Sequence, residues 1–111
     1  MSRLFLFTFL LFIFSTSTVY AAIYKGHRVY VRECSKCHTD KQNFVKSKTA
    51  QEWKDAMGKD GATLKTTHIK DTKLKDSWDY FNSNKFTKKA KHLKEFLIEY
   101  SKDSGKVPAF D

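Results

Sequence analysis

Apolar residues along this chain recur at helical spacing, and no stretch alternates in the way of a strand. Ile23 to Glu33 predicts a helix, with Gly26, Tyr30 and Cys34 four apart and Val29 and Cys37 extending the stripe. A glycine at position 26 lets a second helix approach closely, with Tyr30 packing at that contact. Thr39 to Lys48 is polar and lysine-rich, anchored only by Phe44 and Val45, and reads as a loop. Thr49-Ala50-Gln51-Glu52 then has the form of a capping box, opening a short helix with Trp53, Ala56 and Met57 on one face. Gly58 and Gly61 end it.

Ala62 to Asp76 is ambiguous. Leu64, His68 and Ile69 have helical spacing, but the surrounding threonines and lysines weaken the pattern. Ser77 to Ser83, carrying Trp78, Tyr80 and Phe81, predicts another short helix. Phe86-Thr87 opens the strongest helix, reaching roughly to Lys102, with Ala90, Leu93, Phe96, Leu97 and Tyr100 as its stripe and lysines opposite. Gly105 is expected to stop it, ahead of Pro108. The expected class is all-α, a bundle of about four to five short helices.

The first residues carry a different pattern. Arg3 precedes Leu4 to Phe14, apolar except for Thr8, and Val19-Tyr20-Ala21 places small residues where a signal peptidase reads. Residues 1–21 therefore read as a secretory signal cleaved after Ala21, which implies a periplasmic protein. About 11 apolar residues are too few to span a bilayer, and no cysteine stands at the cleavage point to take a lipid. Residues 22–111 then form one domain of about 90 residues, small enough to need a staple beyond its own core.

Charge narrows the partners. The full chain carries +9; without Arg3 there remain 20 Lys and Arg against 12 Asp and Glu, about +8. An acidic redox protein or an anionic membrane surface would suit such a balance, and so would a generally solvated basic surface with no specific partner. Export and the lack of an arginine-rich motif argue against nucleic acid. Nothing in the sequence calls for more than a monomer.

The chemistry concentrates in Cys34-Ser35-Lys36-Cys37-His38, which holds the only two cysteines. C-x-x-C-H is the attachment signature of a c-type haem: two thiols bond to the haem edge and the histidine binds iron. A disulfide across two residues would close a tiny loop and gain little. A thioredoxin-like pair needs a βαβ setting, and a zinc site needs four ligands, which His68 and His92 are too far apart to complete in the usual spacing. The haem reading places Cys34 and Cys37 as thioether positions and His38 as proximal ligand, its other ring nitrogen expected to bond a backbone carbonyl.

Gly26-x-x-x-Tyr30-x-x-x-Cys34-x-x-Cys37-His38 resembles the G-x-x-x-aromatic-x-x-x-C-x-x-C-H pattern of class I cytochromes c. The resemblance implies a cytochrome c-like bundle around one covalently attached haem, its N-terminal helix crossing the C-terminal one at Gly26 and Tyr30. It also implies single-electron transfer; catalysis at the haem, such as peroxide reduction, is not expected because no distal acid–base pair is apparent, and lysines near the haem edge would steer an acidic partner.

The sixth iron position is open to Met57, His27, His68, His92, a lysine or asparagine, or no residue at all. His27 lies on the attachment helix itself, and His92 at the edge of the C-terminal stripe. A methionine is usual in class I cytochromes, but Met57 follows His38 by only 19 residues and shares a face with Trp53. His68 follows by 30 residues, leaving more chain to round the haem edge. Ser47 to Met57 followed by His68 also loosely resembles the order seen in small bis-histidine dihaem cytochromes, although there is no second C-x-x-C-H. His68 is therefore the expected distal ligand and Met57 the alternative. An open position would instead make the protein a binder or sensor of a diatomic gas (NO, CO or O2).

Overall fold

A computed structural model describes residues 19–110, and all regular structure among them is helical. Of the expected signal, residues 1–18 lie outside the described residues. Among the described residues, no helix is long and apolar enough to cross a membrane. Helix α1 (19–29) runs directly into a π-helical turn, Tyr30–Cys34. Then come α2 (Lys41–Val45), α3 (Ala50–Ala56), α4 (Ala62–Ile69), a 3-10 turn (Thr72–Ser77), α5 (Trp78–Phe81) and α6 (Asn84–Glu99).

Helix α6 is the spine. Ala90, Leu93, Phe96 and Leu97 are all buried, as the stripe predicts. Each larger apolar side chain so removed from water contributes about 1.5–3 kcal/mol. α3 and α5 pack on α6, and α4 packs on α3, α5 and the 3-10 turn. α1 crosses α6 at Gly26. A Cβ there would sit 2.0 Å from the His92 carbonyl oxygen and 2.7 Å from Phe96 Cβ, so no side chain fits. Tyr30, wholly buried, packs its ring 5.4 Å from Phe96 at this crossing.

The box that opens α3 forms in both directions: Glu52 N–H donates to Thr49 Oγ1 at 3.2 Å, and Thr49 N–H to the Glu52 carboxylate at 3.1 Å. Trp53 and Met57 are each 1% exposed. The chain turns through Lys59, Asp60 and Gly61, all at positive φ, before α4 begins.

Three expectations change. Residues 39–48 are not all loop, because α2 forms one helical turn within them. Phe44 packs on Tyr30 and Trp53 while Val45 is wholly buried, so tertiary burial supplies what the polar sequence lacks. The ambiguous Ala62–Asp76 stretch divides at Asp71, whose carboxylate accepts from Lys73 N–H at 3.0 Å and starts the 3-10 turn. α6 stops at Glu99, short of Lys102: Tyr100 leaves helical φ/ψ, and the buried Ser101 hydroxyl turns back to the Ile98 carbonyl at 2.8 Å. Gly105, at φ +70°, belongs to the tail beyond.

That tail, 101–110, straps the N-terminal half. The Asp103 carboxylate accepts from Ala50 N–H at 2.9 Å, and the Pro108 carbonyl from Gln42 Nε2 at 3.3 Å. His27 Nε2–H donates to the Ala109 carbonyl at 2.8 Å, while its ring stacks on Phe110.

Candidate functional site

The helices leave one central cavity of about 560 Å³. Cys34, Cys37, His38 and His68 all line it. Met57 does not; it is buried in the core beside the α3 terminus. His27 is held by the tail, and His92 lies at the α1–α6 crossing. The site residues expected from the sequence are thus brought together in four of five cases, with Met57 set apart.

On one wall, the π turn delivers the motif. Ser35 N–H reaches back five residues to the Tyr30 carbonyl at 3.0 Å, widening the helix as it enters the site. The chain then tightens: Cys37 N–H and His38 N–H both donate to the Cys34 carbonyl, at 3.2 and 2.9 Å. Both cysteines are free thiols, Cys34 half-buried and Cys37 exposed. Burial, then Glu33, then Cys37 push the Cys34 thiol up to about 12, so it is held protonated and inert as a thiolate nucleophile. That is the opposite of what a redox-active pair requires.

His38 lies flat on Phe44, ring centroids 3.7 Å apart at 17°. Among the described residues its ring makes no hydrogen bond, so Phe44, rather than the expected carbonyl, orients it. Burial, and secondarily the neighbouring His68, holds its pKa below the usual imidazole value. The neutral form is the one that binds metal.

The facing wall is built by α4 and α5. His68 Nδ1–H donates to the Leu64 carbonyl at 2.8 Å, one turn back on α4. A carbonyl only accepts, so the proton sits on Nδ1 and the Nε2 lone pair stays free. The ring stacks on Phe81, centroids 4.2 Å apart at 29°. Trp78 Nε1–H binds the His68 backbone carbonyl at 2.9 Å, tying α4 to α5.

Across the cavity the two imidazoles have centroids 6.5 Å apart and planes 80° apart. Two imidazoles on opposite sides of one metal ion, each bound at about 2 Å, have centroids about 6.3 Å apart. The observed separation is close to that spacing. Among the described residues, no three or more His, Cys, Asp or Glu side chains gather as a metal-ion cage. Two axial imidazoles suit a metal that brings its other ligands with it.

Tyr80 also borders the cavity. Its hydroxyl is buried without a hydrogen-bond partner among the described residues, and burial, Cys34 and Glu33 raise its pKa, so it remains a proton donor. Phe81, Trp78 and Tyr80 carry no motif of their own. Their signal is the aromatic cluster at 78–81, legible as a buried helix but not as the support of a histidine. Compared with models of known protein families, with curated proteins and with solved structures, the chain matches none.

Proposed function

We propose that this protein is an exported monohaem c-type cytochrome that carries single electrons. The observation that supports it best is the His38–His68 pair, 6.5 Å apart across a cavity that Cys34 and Cys37 also line. Cys34 and Cys37 would hold the haem through thioether bonds, His38 would take the proximal position and His68 the distal one. When bound, the haem supplies iron that alternates between Fe(III) and Fe(II). The chain's own residues bind and orient: Phe44 and Phe81 fix the two rings, Leu64 fixes the His68 tautomer, and Trp53, Leu93 and Leu97 keep the wall between them apolar. Two histidine ligands would favour a low potential and would leave no iron position for substrate, in keeping with electron transfer rather than catalysis.

The test is the absorption spectrum of the purified protein in both oxidation states, with haem staining on a denaturing gel. The proposal expects stain that stays with the chain, disappearance of that stain in the Cys34→Ala, Cys37→Ala double variant, and a six-coordinate low-spin spectrum in both states. A protein without stain overturns the haem; stained protein that rapidly takes up CO overturns His68 ligation and favours the gas binder.

A further inference from the structure

A second cleft, of about 390 Å³, lies between α1 and the start of α6. Its walls carry six cations: Lys25 and Arg28 from α1, Arg32 from the π turn that continues it, and Lys85, Lys88 and Lys89 from α6. Lys85 stands three and four residues before Lys88 and Lys89, which puts that trio on one face of α6. All six are exposed, and none forms an ion pair among the described residues. The one carboxylate on the walls, Glu33, is already engaged by Lys36 at 3.4 Å. Six cations thus share the cleft with a single carboxylate.

The placement also works against the fold. The amino end of a helix carries partial positive charge and is stabilised by acidic residues, whereas cations there are unfavourable. α6 has no acidic residue in its first turn and no side-chain cap on Ser83, and that turn carries Lys85 instead, with Lys88 and Lys89 just beyond. Six like charges crowded along one concavity, three of them within the first two turns of α6, point to a ligand that would offset them. Tyr80 borders the cleft as well as the central cavity, with its buried, unpartnered hydroxyl.

We propose that the α1–α6 cleft binds a compact polyanion carrying adjacent phosphate groups. Its volume is in the range of small-ligand sites, about 300–1,000 Å³. Val29 is the only aliphatic side chain on its walls, so it lacks the apolar centre around which a protein partner docks. Six charges exceed what one or two carboxylates neutralise, and the forks of Arg28 and Arg32 match phosphate oxygens in pairs. The phosphates belong either to a free oligophosphate or to the headgroups of a membrane lipid.

Calorimetric titration of the intact protein with tripolyphosphate tests this without using the haem, so it stands or falls apart from the electron-transfer reading. The expected result is one site per chain, weakening as salt rises. Replacing Lys85, Lys88 and Lys89 by Gln should cut affinity about tenfold or more, while the unliganded melting temperature holds or rises because the helix end is relieved. Replacing Lys54, Lys59 and Lys102 by Gln removes the same charge elsewhere and should leave affinity unchanged. Equal loss in both triple variants overturns the site, as does absence of binding; tripolyphosphate bound no better than a short polyglutamate overturns the phosphate assignment in favour of an acidic protein. Co-sedimentation with phosphatidylglycerol vesicles, lost in the cleft variant and competed by tripolyphosphate, assigns the lipid source. Tripolyphosphate binding without co-sedimentation assigns the free one.

Discussion

The two walls of the central cavity are held by different physics. On the His38 wall, Cys34, Cys37 and His38 fall within five residues, and their geometry follows from two backbone hydrogen bonds to one carbonyl. On the His68 wall, the Leu64 carbonyl one turn back takes the ring's Nδ1–H, but the Phe81 that stacks on the ring and the Trp78 that holds its backbone carbonyl lie on a different helix, 13 and 10 residues further along. One wall is local and specified by a motif; the other is assembled by packing. A local wall is legible from five letters, whereas an assembled one exists only once α4 and α5 have docked.

The largest expected break in this comparison is His68→Ala. If the protein carries the proposed haem, this variant should lose the low-spin six-coordinate spectrum and open the iron to CO while leaving haem stain intact; an unchanged spectrum would sink the assignment. His68→Met should keep six-coordination and raise the potential, within the roughly 0.8 V that axial ligands span. Gly26→Ala attacks the helix crossing behind the local wall. With the His92 carbonyl in the way, it should cost about 3 kcal/mol in denaturant unfolding. An Ala variant as stable as the parent would mean that α1 and α6 do not cross here.

Trp78→Phe sharpens the contrast from the assembled side. It strips the donor from the His68 carbonyl and should cost about 1 kcal/mol. It should also broaden the distal-ligand signal in electron paramagnetic resonance without altering covalent attachment. The smallest effect lies on neither wall. Hydrogen bonds from Ala50 N–H and the Ser101 hydroxyl lower the Asp103 pKa, so the folded state favours the ionised carboxylate. That contribution is complete above the unfolded carboxylate pKa of about 4 and is lost as pH falls through the folded value. Asp103→Asn should therefore flatten the acid limb of the melting temperature against pH, and an identical limb would place the acid sensitivity elsewhere.

The same division decides what could be read in the sequence. The Thr49 box, the α6 stripe and the Gly26–Tyr30 spacing each signal through residues within a turn or two of one another, and each forms. α2 did not announce itself because one turn around Phe44 and Val45 has no periodicity to detect; only the surfaces they bury against make it helical. α4 is weakly amphipathic, since its face toward the cavity is Leu64 and His68 with threonines between. His68 could be singled out by chain length, but its stacking on Phe81 could not. The cation trios were visible as letters, at 25, 28 and 32 and at 85, 88 and 89, but only the crossing of α1 and α6 sets them face to face.

The π turn at Tyr30–Cys34 gives residue count a role alongside residue identity. It takes in one residue more than an α turn, and each residue of a helix rotates the chain by about 100°. Deleting a single residue there would leave Gly26 facing α6 and swing the cysteines away from the cavity, or keep the cysteines and swing Gly26 off the crossing. Either substitution pattern could be preserved letter for letter and still fail. The segment between the crossing and the motif is thus a ruler, and its length sets the phase between the helix that closes the fold and the side chains that line the central cavity.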